Sequence, residues 1–279
     1  MKILKTAFLL TALTLLLLFV GETFGGRNGL ELGLVIAVVM NGVAYFFSDK
    51  IALMSSGARP ISREQSPRLY AVMERLAAKA NLPVPKLYMI PQPAPNAFAT
   101  GRNPSHASVA VTEGLMQLMN DDELEGVIAH ELSHVRNYDI LTSSIAATIA
   151  GAVTFISRMG FWFGGGDRDR EGGGGIIGLL MLILAPIGAM LLQLGISRQR
   201  EYQADASGAT MVGHPYGLIS ALQKLGAYNK QIPMDVPQTT ASLFIVAPLT
   251  GREIFSSMFS THPPLADRIA RLQSMTITR

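Results

Sequence analysis

The sequence predicts a mainly α-helical integral membrane protein with about four transmembrane helices and a cytoplasmic α+β domain that carries a small β-sheet. The composition supports this fold class, because the 279 residues are 49% apolar and only 15% charged, and the mean hydropathy is positive. Such values are typical of membrane proteins and unusual for a soluble enzyme. In addition, four separate runs of the chain are long and apolar enough to be considered as membrane spans.

The first two apolar runs predict a helical hairpin. They cover about residues 3–20 and 30–47, and each approaches the length needed to cross roughly 30 Å of hydrocarbon. GETFGGRNG between them is the predicted turn. A basic start followed by a Leu-rich run also fits a cleaved signal peptide. We favour a retained anchor, because no small-x-small cleavage site follows cleanly and a second apolar run begins within ten residues.

The third and fourth runs, about residues 140–163 and 176–196, predict a second hairpin that spans the membrane or associates with it. The third run is rich in Ala, Thr and Ser and would also suit a buried helix of a soluble core, whereas the fourth is strongly apolar and uncharged. The Gly-rich linker GGGDRDREGGGG between them belongs in water. The predicted division of the chain is 1–47, 48–139, 140–196 and 197–279.

The basic residues predict the orientation. Most Lys and Arg that flank the spans lie on one side of the four-span arrangement, and the opposite loops carry three Arg, two of them offset by neighbouring acids. The positive-inside rule therefore places both termini and both large polar regions in the cytoplasm. The basic residues are scattered rather than arranged in a stripe, so no nucleic-acid partner is expected.

The first polar region predicts a mixed α+β arrangement that ends in a well-signalled helix. Ser66 is a candidate N-cap with Pro67 at the first helical position, and KLYMI, NAFAT and SVAVT are three short β-like runs. Asn120 is the candidate N-cap of a later helix, and Glu123 three residues on fits a capping box. That helix carries the motif HELSH. Residues 197–279 are predicted to be helical with loops.

The motif HELSH places two histidines four residues apart, so His130 and His134 project from one helix face. Both can then bind one Zn²⁺ at about 2.0–2.1 Å. Glu131 is adjacent to the first ligand and can act as general base towards a zinc-activated water. HExxH arises by chance in roughly one chain in a hundred of this length, so a third ligand is the decisive test. Without cysteine, that ligand must be His or a carboxylate.

The third ligand is expected in SRQREYQADASGA, directly after the fourth apolar run. Glu201 can complete a site of two His and one Glu, and the fourth position then remains open for water. Asp205, one helical turn on, can accept the second N–H of a ligand His and determine its tautomer. The alternative is a solvated helix in which Arg198 and Arg200 pair with the two carboxylates.

HELSH, a distant EYQAD, two apolar runs between them and an apolar hairpin before them resemble the HtpX family of membrane zinc proteases, relatives of the type-I CAAX prenyl protease. PNAFATGRNP, VTEGLM, HELSHVRNYD, SRQREYQAD and STHPPLADRIARL match in order over nearly the whole chain. The resemblance implies a gluzincin with one Zn²⁺ per chain on His130, His134 and Glu201, and with Glu131 as base. It further implies a multi-pass endopeptidase of the bacterial cytoplasmic (inner) membrane that cleaves damaged or misassembled membrane proteins.

The resemblance also gives roles to other residues. NAFAT corresponds to an edge strand that can hold substrate backbone as an added strand, which makes Asn96, Ala97 and Phe98 candidate substrate contacts. An ordinary strand with Phe98 in the core is an equal alternative. His262 could donate a hydrogen bond to the developing oxyanion, although a lone His before two prolines is more often structural. Asp139 either supports a ligand His or simply ends a helix.

Two other functions are weighed against this interpretation. An intramembrane protease of the site-2 class also uses HExxH, but inside a hydrophobic span and with an LDG-type segment that this chain lacks. A non-proteolytic four-helix scaffold or transporter is the second alternative. Transporters usually place ionisable residues at mid-membrane, and the predicted spans hold essentially none away from their ends.

Overall fold

The computed structural model consists of a long N-terminal helical pair, a small β-sheet and further helices packed against the sheet. It describes residues 2–164, 197–229, 231–234, 236–248 and 262–276. In chain order the elements are α1 (Lys2–Ser55), β1 (Arg59–Pro60), α2 (Pro67–Lys79), β2 (Lys86–Ile90), β3 (Ala97–Gly101), a 3₁₀ turn (Pro104–His106), β4 (Ala107–Thr112), α3 (Glu113–Leu118), α4 (Asp121–Arg136), α5 (Asp139–Gly164), α6 (Arg198–Val212), α7 (Tyr216–Asn229), α8 (Gln238–Ala241) and α9 (Leu265–Gln273).

α1 is two helices joined by a sharp break at Gly26, where φ is 55° and ψ is −140°. A side chain is disfavoured at such a φ, which explains glycine there. The two halves pack closely, since a Cβ on Gly21 would lie 2.2 Å from the carbonyl oxygen of Gly29. Both halves, Leu4–Thr23 and Gly25–Ser55, are long and apolar enough to cross a membrane by length and composition. The predicted nine-residue turn is therefore wrong, because one glycine makes the reversal and the flanking residues stay helical.

The third predicted apolar run lies within α5. The first half of α5 packs on α1, with Ile145 and Ile149 in a cluster that also contains Leu9 and Leu13, and all four side chains are buried. Predicted span 176–196 lies outside the described residues. Within the described ranges, two helices reach the length and hydropathy of a span, so four spans remain a prediction.

The sheet has the strand order β1-β2-β4-β3, with β2 and β4 parallel and the other pairs antiparallel. All three predicted strand runs form strands, and the two-residue β1 adds a fourth. β3 lies at one edge, and successive side chains of a strand point to opposite faces. Ala97 and Ala99 accordingly join the large core beneath the sheet, whereas Phe98 joins a second cluster that contains Phe244.

α4 is anchored at its start and enclosed by its neighbours. The predicted capping box is present: Asn120 Oδ1 accepts from the Glu123 backbone, and Glu123 Oε2 accepts from the Asn120 backbone, both at 2.9 Å. α6 approaches α4 so closely that a Cβ on Gly208 would lie 3.0 Å from the backbone nitrogen of His130. The contact holds the third-ligand helix directly against the HELSH helix.

Candidate metal centre

Three predicted metal ligands converge between α4 and α6. The two His Nε2 atoms are 3.2 Å apart, and Glu201 places Oε1 3.4 Å from His134 Nε2 and Oε2 3.7 Å from His130 Nε2. One donor atom from each of His130, His134 and Glu201 lies within 4.8 Å of the other two. The histidines are one turn apart on one helix, and Glu201 comes from a helix 67 residues further along the chain.

The donor set fits a zinc ion. His130 Nδ1 is 2.9 Å from Asp205 Oδ1, and His134 Nδ1 is 3.4 Å from Asp139 Oδ2. When each Nδ1–H donates to its carboxylate, each Nε2 carries a lone pair. Two lone pairs and a carboxylate oxygen of Glu201 then face one point, an arrangement that a cation stabilises. Two imidazole nitrogens and a carboxylate oxygen are the ligand types of catalytic zinc.

The solvated-helix alternative is wrong for the acids of α6. Glu201 is 5% exposed and Asp205 is 3% exposed. Arg200 turns instead to Asp139, with Nη1 3.4 Å from Oδ1. Asp205 is paired with Arg268, a residue from the far end of the chain. Buried carboxylates need such partners, because an unpaired buried charge is strongly disfavoured.

Glu131 lies in the same small cavity, where it is 2% exposed. Burial raises the pKa of Glu131 to about 7. The negative charge of Glu201 also raises this pKa, whereas the charge of His134 lowers it. The Ala99 backbone of β3 forms a hydrogen bond with this carboxyl. The cavity is about 20 Å³, room for about one water. It is lined by Ala99, His130, Glu131, His134, Asp139, Ile140, Ser143, Glu201, Ser242, Leu243, Phe244, Ile245 and His262.

Burial and the surrounding charges act differently on the three candidate ligands. Burial lowers the pKa of His130, although Asp205 partly opposes it. Burial also disfavours the charged form of His134, but Glu201 and Asp139 outweigh that effect and its pKa is raised. For Glu201, the nearby histidines overcome the effect of burial and hold the pKa well below 4.5. An ionised Glu201 and a neutral His130 are the protonation states that bind a metal.

Arg268 is the residue that sequence reasoning missed. Its guanidinium is fully buried and donates to both oxygens of Asp205, from Nε at 2.8 Å and from Nη2 at 2.7 Å. Nη1 donates to the carbonyl of Ile245 at 2.8 Å. A signal was available, because Arg268 interrupts the apolar i, i+3, i+4, i+7 face of α9, beside Leu265, Ile269 and Leu272. A charge within an apolar helix face requires a buried partner.

His262 and Asp139 also reach the centre. His262 Nδ1 is 3.3 Å from Glu201 Oε2, and its Nε2 is 3.2 Å from the carbonyl oxygen of Ser242. Asp139 is the first residue of α5 and contacts His134. Asp139 is therefore both a helix-end residue and a partner of a candidate ligand.

The predicted substrate contacts on β3 face residues of the same chain. Asn96 Nδ2 donates to the Val246 carbonyl at 2.8 Å, and the Ala97 carbonyl accepts from the Ile245 backbone at 2.9 Å. The Phe98 ring meets Phe244 edge to face, with centroids 4.9 Å apart. The side chain of Phe98 is thus in the core, as the alternative interpretation of NAFAT holds.

Comparison with known proteins gives one consistent family. The family model described as "Peptidase family M48" matches residues 63–276. A "Protease HtpX homolog" of Desulfatibacillum aliphaticivorans is 56% identical over 273 residues, which cover 96% of this chain and 88% of the relative. One of Syntrophobacter fumaroxidans is 52% identical over 278 residues, 97% of this chain and 98% of the relative. The solved structure "Crystal Structure of S. mikatae Ste24p" shares the fold, with a TM-score of 0.53 at 19% identity; the match covers 94% of this chain and 62% of that one.

Proposed function

The chain belongs to peptidase family M48 and is an HtpX-type metalloprotease, and from that premise we propose how and where it acts. It is a membrane-anchored endopeptidase in which His130, His134 and Glu201 hold one Zn²⁺ and Glu131 is the general base. Its substrates are exposed cytoplasmic segments of damaged or misassembled proteins of the bacterial inner membrane. The observation that carries the proposal is the convergence of three ligand atoms within 4.8 Å in a cavity that Glu131 also lines.

The chemistry follows from the positions of the side chains. A zinc ion held by His130, His134 and Glu201 would supply Lewis acidity, which makes water a nucleophile at neutral pH and polarises the scissile carbonyl. Glu131 accepts the proton of the attacking water and returns it to the leaving amine as the C–N bond breaks. Asp205 and Asp139 keep the two imidazoles oriented through their Nδ1 atoms. We propose that His262, which lines the cavity, donates to the oxyanion that develops on the attacked carbonyl, a role for which one ring nitrogen must leave Glu201 or the Ser242 carbonyl.

The membrane placement is supported by how the site is connected to the apolar helices. α5 begins five residues after His134 and packs at once on the N-terminal hairpin, where Thr142 Oγ1 is 3.1 Å from Thr6 Oγ1. The metal centre therefore lies close to the helices that would enter the bilayer. Membrane proteins that expose unfolded cytoplasmic segments would come within reach of such a site.

The test of the chemistry is the substitution Glu131→Gln in detergent-solubilised, zinc-loaded protein. We expect zinc to be retained and cleavage of fluorescein-labelled casein to fall by at least about 100-fold, since a positioned base contributes roughly 10²–10⁴-fold. Glu113→Gln is the matched control, because Glu113 is an exposed glutamate at the start of α3. Unchanged proteolysis by the Glu131 variant would eliminate this residue as the base.

The test of the orientation uses the absence of cysteine from the chain. Single cysteines are introduced into the linker GGGDRDREGGGG and, separately, at exposed Glu113. In intact cells, an impermeant maleimide should label the linker and leave position 113 unlabelled until the membrane is opened. Labelling of position 113 from outside would contradict a cytoplasmic active site.

A further inference from the structure

The outer edge of β3 is occupied by residues of the same chain. The Thr112 backbone N–H donates to the Asn96 carbonyl at 3.0 Å, one position before Ala97 pairs with Val111, so Asn96 and Thr112 occupy the position of a hydrogen-bonded pair just outside the β3–β4 register. Such pairs alternate along a ladder, which turns the backbone groups of Ala97 and Ala99 away from β4. The Ala97 carbonyl accepts from Ile245 on this outer side. We call residues 242–246, with the sequence SLFIV, the covering segment.

The side chain of Asn96 binds backbone atoms of the covering segment. Its side-chain amide donates to the Val246 carbonyl at 2.8 Å, and its Oδ1 lies 3.4 Å from the Val246 backbone nitrogen. Asn96 is fully buried, so this amide holds the main chain of one residue of the covering segment, which is a turn followed by a bend. Backbone recognition of this kind does not depend on the side chain that is bound.

The covering segment also closes the metal cavity. Four of its residues, Ser242 to Ile245, line the cavity together with the candidate ligands. The space that remains is about 20 Å³, enough for roughly one water and far too small for a peptide. Ala99, two residues beyond Ala97 on the same strand edge, forms a backbone hydrogen bond with Glu131. An extended peptide on this edge would therefore run directly past the general base.

We propose that the covering segment is an internal occupant of the substrate position: it lies over the outer edge of β3 and closes the metal cavity, and substrate must displace it. This inference rests on the proposed function of the metal centre. A peptide on the same edge would replace the hydrogen bond from Ile245 to the Ala97 carbonyl with one of its own. Fully buried Phe244 packs against Phe98 and anchors the segment. Arg268 and Asn96 also hold it, through hydrogen bonds to the carbonyls of residues 245 and 246. The enzyme would select unfolded, extended polypeptide and exclude folded surfaces.

A reversible cross-link tests whether displacement is required. Ser55 Oγ and Thr240 Oγ1 are 3.2 Å apart, and Thr240 lies two residues before the covering segment. The chain has no other cysteine, so Ser55→Cys with Thr240→Cys can form only this bridge within a chain. We expect the oxidised double variant to cleave fluorescein-labelled casein about tenfold more slowly or worse, because the competent state is depleted. Reductant should restore the rate, and each single variant should keep the wild-type rate.

A substitution that weakens the anchoring of the covering segment should have the opposite effect to the cross-link. Phe244→Ala removes the main apolar anchor, and we expect KM for casein to fall by about three- to tenfold, as a larger fraction of molecules is open. Leu222→Ala is the matched control, because it removes a fully buried side chain of α7. It should lower stability and leave KM unchanged. The inference is overturned if the oxidised double variant is as active as the reduced one.

Hydrogen exchange provides a measurement that does not depend on turnover. In zinc-loaded Glu131→Gln protein, excess casein should speed exchange of the Ile245 amide, because its bond to Ala97 is lost. Unchanged or slower exchange, with casein binding verified by fluorescence anisotropy, would contradict displacement. Failure of the proposed function is recognised separately, since wild-type protein would then show no chelator-sensitive cleavage. If wild-type protein shows chelator-sensitive cleavage and the cross-link does not slow it, the enzyme is a metalloprotease that does not need to displace the covering segment.

Discussion

Replacement of Arg268 by methionine should both destabilise the protein and weaken zinc binding. Methionine keeps a similar length and removes the guanidinium, which donates twice to Asp205 and once to the Ile245 carbonyl. Burial disfavours an ionised Asp205, but Arg268 overcomes this and lowers the pKa of Asp205 to about 2. In the variant, the carboxylate would remain buried without its main cationic partner.

The magnitude follows from this geometry. Removal of one partner from a buried ion pair costs about 3–5 kcal/mol, and each kcal/mol lowers Tm by about 2–4 °C in a protein of this size class. We therefore expect Tm to fall by about 6–20 °C. Asp205 also orients His130, so zinc affinity should fall by about 10–100-fold, as it does when such supporting groups are removed.

The assay combines thermal unfolding in detergent with zinc competition against a chelator. Arg271→Met is the matched control on the same helix, because Arg271 is exposed and its guanidinium stacks 3.7 Å from the centroid of the Tyr202 ring. Loss of an exposed cation–π contact costs only about 0.5–1 kcal/mol. If Arg268→Met matched Arg271→Met in both Tm and zinc affinity, the buried pair would not support the metal centre.

Three further changes have defined outcomes. Gly208→Ala places a Cβ 3.0 Å from the backbone nitrogen of His130, where backbone cannot yield easily, so we expect a loss of about 1–3 kcal/mol in thermal unfolding and weaker zinc binding. Glu201→Gln removes the proposed carboxylate ligand, so metal analysis after dialysis should find little zinc, whereas we expect one ion per chain in the wild type. Burial of Glu123 opposes its ionisation, but the hydrogen bonds from Lys224 and other donors outweigh this and lower the pKa below 4.5. Its contribution to stability is therefore present above pH 4.5 and lost as pH falls through the folded pKa, so Glu123→Gln should destabilise at pH 7, and its deficit should shrink in acid unfolding curves.

Each of these has a control within the chain. A Cβ on Gly151 would meet only Thr239 Oγ1, at 3.8 Å, so Gly151→Ala should have no comparable effect. Glu113→Gln changes an exposed glutamate and should alter neither the zinc content nor the acid unfolding curve. A Glu123→Gln deficit that grew on acidification, or a Glu201→Gln protein with full zinc, would contradict the corresponding contacts.

Features encoded within one or two helical turns were predicted well. The capping box of Asn120 and Glu123 was identified from adjacent positions, and the spacing of His130 and His134 placed both imidazoles on one face. The sequence predicts too long a reversal in α1, because a stretch with several glycines and charges is typical of a loop. Packed glycines at positions 21 and 29 allow two helices to approach closely, so the helices continue up to Gly26.

The sequence by itself determined the ligand types, their local spacing and the apolar character of the N-terminal hairpin, because helical periodicity and hydropathy act over short stretches. Only the tertiary structure decided that Arg268, 63 residues after Asp205, pairs with it, and that residues 245 and 246 lie on the outer edge of β3. Those contacts join distant parts of the chain, and they depend on which backbone groups a sheet leaves unpaired and which charges the core must neutralise. The apolar face of α9 indicates that Arg268 needs a buried partner, but no local pattern identifies that partner as Asp205.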